Sequence, residues 1–430
     1  MKRGSPLLWT YRLGVTLMTP AASGLLLWRR GKGKEDPTRL GERRGHAGRA
    51  RPAGPLVWLH GASVGETLSI LPLVERLTRR GVTVLVTSGT RTSAQLVARR
   101  LPPGAIHQFM PLDVPLYIKR FLDHWRPDLA LFAESELWPN FVHALDRRGV
   151  PLVLINARLS ERSFRRWMRV PQAAEAMLSR FAFCLAQSPG DAERLQRLGA
   201  PRVSIAGNLK FDSPAPPADP RTVASLQALT AGRPVWMAAS THPGEEEAAI
   251  AVHRALAKRY PDLLTIVAPR HPQRGPDIAA MAQESGLVAV RRAEGMQPDR
   301  AVDFYVADTI GELGLFYRLV PLVFVGGSLV PHGGQNPIEP AKLGAAILHG
   351  PHVHNFTDVY AAIDRARGAL PVNDARALAQ ALADLLSDPG RMRTMGRAGT
   401  AAVEGLGGAL ERTIRAIDPF LVGLRASGPG

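Results

Sequence analysis

From Pro55 onward, short apolar runs alternate with longer stretches of helical period, and this alternation restricts the chain to very few folds. Residues 56–60 read as a strand, followed by a helix over 66–80; a second strand over 82–86 precedes a helix over 92–100. Runs at 128–132, 150–155 and 181–186 continue the pattern. These runs are continuous in Val, Ile and Leu, as in strands covered on both faces, and the strand–helix–strand order makes the sheet parallel. The pattern stops at residues 212–220, where four of nine residues are proline, a stiff and extended connection. It then restarts, with strands at 235–239, 263–268, 304–306, 322–325 and 346–349 and helices over 245–259 and 277–285. For 430 residues two domains are the simplest division. The expected architecture is α/β: two doubly wound, Rossmann-like domains, 52–212 and 221–430, joined by a linker at 213–220. The last helix, from Ala409, is a candidate to return to the first domain. Ligands of such sheets bind beyond the carboxyl ends of the strands, so function is sought in the polar residues there and in a cleft between the two sheet ends.

An apolar content of 45% excludes a disordered chain, and the one cysteine, Cys184, excludes a disulfide framework or a multi-cysteine metal site. Cys184 sits in an apolar run and reads as core. The formal charge is +17, and residues 1–51 hold twelve Lys/Arg against three Asp/Glu. Within them, residues 7–28 form an apolar stretch whose only charge is Arg12. Its length suffices for a membrane span, while Pro20 would kink it. Small residues Ala21, Ala22 and Ser23 lie inside the stretch rather than after it, which argues against a cleaved signal peptide. Arg29, Arg30, Lys32 and Lys34 follow directly and keep the remainder of the chain cytoplasmic. The segment is therefore read as an N-terminal membrane-associated helix with a basic arm, spanning or monotopic, beside anionic lipid of the inner membrane. A helix capping the first domain is the plainer alternative. Nucleic acid would also suit a basic chain, but aromatics are only 6% and do not interleave with a basic stripe, so that class is set aside.

Four clusters follow strands in the first domain. His60-Gly61-Ala62-Ser63-Val64-Gly65-Glu66 opens a helix whose free N–H groups favour anions, with Glu66 either a carboxylate at the cleft or a simple offset to the helix dipole. Glu134-Ser135-Glu136-Leu137-Trp138-Pro139-Asn140 places two carboxylates together, whose repulsion should raise one pKa. Arg158 and Arg162 stand after the next strand, able to meet anionic groups or those glutamates, and Gly207-Asn208-Leu209-Lys210-Phe211-Asp212 closes the domain. In the second domain Ser240-Thr241-His242, Pro269-Arg270-His271-Pro272, Gly326-Gly327-Ser328 and Gly333-Gly334-Gln335-Asn336-Pro337-Ile338-Glu339 occupy comparable places. The last two resemble an anion cradle of glycines and free N–H groups, but match neither a dinucleotide fingerprint nor a P-loop. His349, His352 and His354 lack a completing carboxylate, so no metal is expected.

Taken together, these motifs resemble the 3-deoxy-D-manno-octulosonic acid (Kdo) transferase family, from about residue 5 to 420. The resemblance implies the GT-B fold and metal-free transfer of Kdo from CMP-Kdo to the lipid A precursor, in lipopolysaccharide synthesis at the cytoplasmic face of the bacterial inner membrane. It further implies Glu66 as general base, with Glu136 and Lys210 supporting the transition state. Pro269, Arg270, Ile310, Gly311, Glu312, Asn336, Pro337, Ile338 and Glu339 match CMP-binding stretches. Gln335 stands where the family is expected to have His. The alternative is another nucleotide-sugar GT-B transferase or an epimerase, told apart by which nucleotide protects the chain against heat.

Overall fold

A computed structural model describes residues 5–426, with side chains to residue 423. Two compact units emerge: one holds the described residues up to Ser213 together with those from Gly407 onward, the other is Pro214–Leu406.

The first unit begins with α1 (Pro6–Leu17) and α2 (Thr19–Gly31). It continues with β1 (Leu56–His60), α3 (Val64–Arg79), β2 (Thr83–Ser88), α4 (Arg91–Arg100), β3 (Ala105–Phe109) and α5 (Pro115–Trp125). After these come β4 (Leu129–Ala133), α6 (Pro139–Arg147), β5 (Leu152–Ala157), α7 (Glu161–Trp167), α8 (Pro171–Leu178), β6 (Phe183–Ala186), α9 (Pro189–Arg197) and β7 (Val203–Ile205). The strands pair in parallel in the order β3-β2-β1-β4-β5-β6-β7. Strand order reverses between β1 and β4, whose carboxyl ends are His60 and Ala133. Apolar layers cover both faces, one around Trp58, Phe121, Phe132 and Phe141, the other around Ile70, Leu73, Val153 and Ile155. Cys184 lies buried in the first layer, and burial pushes its thiol up to about 12, which keeps it protonated and inert.

In the second unit α10 (Pro220–Thr230) and β8 (Val235–Thr241) are followed by α11 (Glu245–Ala257), β9 (Leu264–Pro269), α12 (Gly275–Glu284), β10 (Ala289–Arg291) and β11 (Phe304–Val306). Then come α13 (Leu313–Leu319), β12 (Leu322–Val325), α14 (Ile338–Lys342), β13 (Ala346–His349), α15 (Thr357–Arg365), β14 (Ala369–Pro371), α16 (Ala375–Ser387) and α17 (Pro389–Gly405). The parallel order is β10-β11-β9-β8-β12-β13-β14, and the reversal falls between β8 and β12. The chain then re-enters the first unit with α18 (Ala409–Ala426). Asp212 fixes that return by accepting the N–H groups of Gly408 at 2.6 Å and Leu410 at 2.7 Å, while Arg412 donates to the Ala206 carbonyl.

The N-terminal region differs from the single helix expected from its apolar run. Met18 separates α1 from α2, and Pro20 in the first turn of α2 cannot supply the N–H that a continuous helix needs. Among the described residues no helix is long and apolar enough to cross a membrane. Both helices are tied to the first unit instead: Tyr11 Oη donates to Asp113 Oδ2 at 3.0 Å, and the Ser23 and Tyr117 hydroxyls meet at 2.8 Å. The basic arm is also partly engaged within the protein. Arg29 pairs with Glu35 at 2.7 Å, Arg39 forks onto Glu42, Arg43 reaches the Met110 carbonyl, and Arg51 donates to the Trp125 carbonyl. Arg30, Lys32 and Lys34 remain exposed.

Asp113 joins these elements, since it also accepts the N–H groups of Asn140 and Phe141 at the start of α6. Burial raises its pKa from 3.8 to about 7 against the opposing effect of those hydrogen bonds. The native carboxyl thus keeps a proton that the unfolded chain has released, and its contribution to stability falls as pH rises from about 4 to about 7, then levels off. Thermal unfolding followed across that range should show the wild type losing stability relative to Asp113→Asn. Parallel pH curves for the two proteins would contradict this.

Candidate active site

The first cluster is assembled at the switch point of the first sheet. Register sets His60 on β1 beside Thr87 on β2 and Phe132 on β4. His60 is fully buried, with Nδ1 2.9 Å from Thr87 Oγ1 and Nε2 3.3 Å from Glu136 Oε2. The Trp58 indole N–H already occupies one lone pair of Thr87 Oγ1 at 2.8 Å. Nδ1 also lies 3.2 Å from the Thr87 carbonyl oxygen, so this edge of the ring is held by both the hydroxyl and the backbone of the neighbouring strand while the other faces Glu136. Trp138 Nε1 donates to the same Glu136 oxygen at 2.7 Å. Burial acts to raise the Glu136 pKa, but His60 and Trp138 outweigh it and hold the carboxyl below its ordinary value.

Glu66 lies in the first turn of α3. Ser63 caps that helix, accepting the Glu66 N–H, and the Glu66 carboxylate accepts from Ser63 Oγ at 2.7 Å and Ala62 N–H at 2.8 Å. This reciprocal cap explains why glutamate suits the position structurally, yet the electrostatics exceed what a cap requires. Burial raises the Glu66 pKa, and repulsion from Glu136 and Glu134 adds to the effect. The repulsion expected between Glu134 and Glu136 therefore acts on Glu66, while Glu136 is held down. Two carboxyls with opposite perturbations at one switch point are suited to separate roles, one accepting a proton and one staying charged.

Glu134 occupies the turn after β4 with φ of 56°, a left-handed conformation that costs a glutamate free energy. Its Oε1 lies 2.9 Å from Lys210 Nζ. Lys210 sits in a short 3-10 turn, Leu209–Phe211, positioned by two asparagines: Asn156 Oδ1 accepts the Leu209 N–H and Asn208 Oδ1 the Lys210 N–H, each at 3.0 Å. Asn156 too has a positive φ, 49°, at the bulge between β5 and β6. Arg158 and Arg162 are exposed and form no ion pair with either glutamate.

The switch point of the second sheet holds a different arrangement. Glu245, buried at the start of α11, accepts N–H groups from His242 at 3.0 Å, Gly327 at 2.7 Å and both Ser328 and Leu329 at 3.0 Å. Residues 326–328 are therefore not an open anion cradle: the Gly326 N–H is taken by the Ala239 carbonyl, and those of Gly327 and Ser328 by an internal carboxylate. The N–H of Ile338, at the start of the five-residue α14, is likewise taken by Asn336 Oδ1. Gly326 is required because a Cβ there would lie 2.6 Å from the Ser240 carbonyl oxygen.

Around this core His242 stacks on His332 at 4.1 Å between ring centres and meets His271 edge-on at 6.1 Å. Gln335 Nε2 lies 3.0 Å from His242 Nε2. Burial, then His332, His271, Arg270 and Arg274, lower the His242 pKa to about 4, so the imidazole is neutral at pH 7. Arg270 follows β9 with its side chain exposed. Gln335 thus touches His242 directly, and Arg270 acts on it electrostatically. Ile310 and Gly311 project into solvent, whereas Glu312 is held bidentately by Arg292 at 2.8 and 3.1 Å. His349 is engaged by Asp364 at 3.0 Å, and no group of three His, Cys, Asp or Glu among the described residues is arranged to hold a metal ion.

Thr87 in the first unit and His332 in the second carry no signal in the sequence, and His60 only that of the last residue of a strand. Glu134 stands out there as a partner of Glu136 in repulsion, whereas the structure pairs it with Lys210.

Two parallel seven-stranded α/β sheets in separate units, each with its polar cluster at the strand-order reversal, define the GT-B class of fold. The glycosyltransferase from Rickettsia africae shares that fold, with a TM-score of 0.56 at 13% identity over 86% of this chain and 99% of that one. Residues 38–213 match the family described as 3-deoxy-D-manno-octulosonic-acid transferase (kdotransferase). The 3-deoxy-D-manno-octulosonic acid transferase of Haemophilus influenzae is 36% identical over 390 residues, covering 89% of this chain and 91% of the relative. That of Bordetella pertussis is 36% identical over 414 residues, covering 92% and 96%. The chain belongs to the 3-deoxy-D-manno-octulosonic acid transferase family, and is a glycosyltransferase.

Proposed function

We propose that the chain transfers Kdo from CMP-Kdo to a hydroxyl of a lipid A precursor, with Glu66 as general base. The observation that carries this reading is the Glu66–Glu136 pair, in which burial raises one carboxyl while His60 and Trp138 hold the other ionised. In the reaction the acceptor hydroxyl oxygen forms a bond to the anomeric carbon of Kdo, the bond from that carbon to the CMP phosphate breaks, and the hydroxyl proton passes to Glu66. A raised pKa brings the base closer to the working pH, where proton acceptance is most effective. Glu136 keeps its negative charge beside developing positive charge on the sugar, and Lys210, steadied by Glu134, offsets the negative charge of the donor. Pro269-Arg270, Ile310-Gly311-Glu312 and Asn336-Pro337-Ile338-Glu339 hold the CMP portion. Neutral His242 is suited to donating or accepting a hydrogen bond there without a change of charge.

The same reading attaches the first unit to the cytoplasmic face of the inner membrane in a monotopic manner. Leu7, Trp9, Leu13, Leu17, Met18, Leu25, Leu27 and Trp28 are each at least 45% exposed on α1, α2 and the joint between them. Such a surface is far more apolar than water-facing helices usually present.

Mass spectrometry of the product formed from CMP-Kdo and lipid A precursor tests donor and acceptor together. A mass gain of one or more Kdo units, with CMP released in equal number, is the expected result. No gain with CMP-Kdo but turnover of a UDP-sugar would overturn it.

A further inference from the structure

One cavity of the first unit, about 360 Å³ and bounded by α1, α6 and α8, has no part in the reaction described above. Its lining includes apolar Leu8, Val142 and Met177. It also includes three arginines, Arg12 on α1, Arg147 at the end of α6 and Arg180 after α8. All three act on one side chain, His143 of α6, whose pKa is lowered by burial and then by Arg12, Arg180 and Arg147. All three arginines line this one cavity, and Asp146 opposes their effect on His143 only in part. Asp146 lies 3.3 Å from Arg180 Nε, but no carboxylate among the described residues forms an ion pair with Arg12 or Arg147. Like charges gathered at a half-enclosed apolar site repel one another, and an anion would relieve that repulsion.

The cavity also opens where lipid would be met. Leu8, Trp9 and Arg12 of α1 line it, and on the same helix Leu7, Trp9 and Leu13 are 50%, 65% and 45% exposed. A lining of apolar side chains and arginines, shared with a helix whose other apolar residues are exposed, matches an anionic amphiphile. Neither free phosphate nor a neutral detergent has both halves. Arg147 ends α6 about 12 Å along the helix from Pro139, two turns from the segment that carries Glu136. This favours a lipid of the surrounding bilayer over the sugar acceptor.

We propose that this cavity binds an anionic phospholipid, its phosphate held by Arg12 and Arg147 and the start of an acyl chain lying along Leu8, Val142 and Met177. The proposal rests on the monotopic attachment proposed above but not on the transfer reaction. It moves recognition of lipid charge from the basic arm, where Arg29, Arg39, Arg43 and Arg51 are occupied within the protein, to a built site.

Flotation of the full chain with vesicles of phosphatidylcholine, with and without phosphatidylglycerol, tests it. Arg12→Gln combined with Arg147→Gln should weaken binding to the phosphatidylglycerol vesicles about tenfold, with binding to phosphatidylcholine alone unchanged. Arg99→Gln with Arg100→Gln, an equal loss of charge from exposed positions on α4, should leave the lipid preference intact. Unchanged thermal unfolding of both double variants confirms that they fold. An equal effect of the two double variants would reduce the preference to diffuse charge and overturn the site. So would an acceptor KM raised in detergent while the vesicle preference survives, since that places the acceptor in the cavity. Absence of Kdo transfer by the wild-type chain, with the tenfold loss of vesicle binding still seen in the Arg12→Gln and Arg147→Gln double variant, would strike the reaction assigned to Glu66 and leave the lipid site standing.

Discussion

Glu66→Ala is expected to lower kcat for Kdo transfer by about 10²- to 10⁴-fold, the usual contribution of a positioned general base, while CMP binding by the second unit is unchanged. The difficulty is that Glu66 also caps α3 through Ser63 and Ala62, so alanine removes a structural contact worth about 1 kcal/mol as well as a base. Glu66→Gln separates the two. A glutamine oxygen can still accept from Ala62 or Ser63, so the helix start is retained, but the amide cannot take a proton. The expected result is wild-type thermal stability with kcat as low as that of the alanine variant. Substantial transfer by Glu66→Gln would leave only the cap. The pH profile offers a second measure: because burial raises the Glu66 pKa, activity should fall on acidification at a pH above that of an ordinary glutamate.

The second large effect concerns stability. Glu245→Ala removes the acceptor for four backbone N–H groups, those of His242, Gly327, Ser328 and Leu329, and leaves them buried without partners. Each unsatisfied donor costs about 1–3 kcal/mol, and even with non-additivity the sum should reach about 3 kcal/mol or more. For a unit of this size that corresponds to a fall in Tm of roughly 6–12 °C. Glu245→Gln, which keeps one oxygen but loses the charge, should fall between the two. The second unit also loses the turn that positions Gln335 beside His242, so weaker protection by CMP should accompany the lower Tm. A Tm within about 2 °C of wild type for Glu245→Ala would show that the turn holds without the carboxylate.

The sheet centres were legible in the amino-acid order and the sheet edges were not. Residues 56–60, 304–306, 322–325 and 346–349 coincide with β1, β11, β12 and β13. The strands missed were β3, β7, β10 and β14, which are the four edge strands of the two sheets. The reason is physical: a central strand is covered on both faces and flanked on both sides, so it shows as an unbroken apolar run. Ala-Ile-His-Gln-Phe in β3 and Ala-Val-Arg in β10 carry polar residues because an edge is only partly covered. The candidate site was legible to the same degree. Glu66 and Glu136 stood out as carboxylates just beyond strand ends. The partners that set their charge did not, because His60 and Thr87 meet through strand register and Glu134 reaches Lys210 across a long sequence separation. The expected cradle at residues 326–328 is closed for a related reason: glycines advertise open amides, while the carboxylate that takes the Gly327 and Ser328 N–H groups belongs to α11.

The chain enters the second unit once, at Pro214, and leaves it once, after Leu406. In effect the second unit is an insertion within the first unit, whose final helix is supplied only after the insertion has been synthesised. A ribosome-bound chain that has emerged to the proline-rich connection still lacks α18 and the capping of Gly408 and Leu410 by Asp212. The inserted unit can be excised as one continuous piece, whereas a fragment stopping at residue 213 leaves the apolar layer around Ile70 and Leu73 without Ala409, Ile414 and Ile417. Division of the gene at the proline-rich joint alone should therefore give an aggregating first piece and a second piece that carries the orphaned apolar face of Ile414 and Ile417, whereas excision at both Pro214 and Leu406 should yield a soluble second unit.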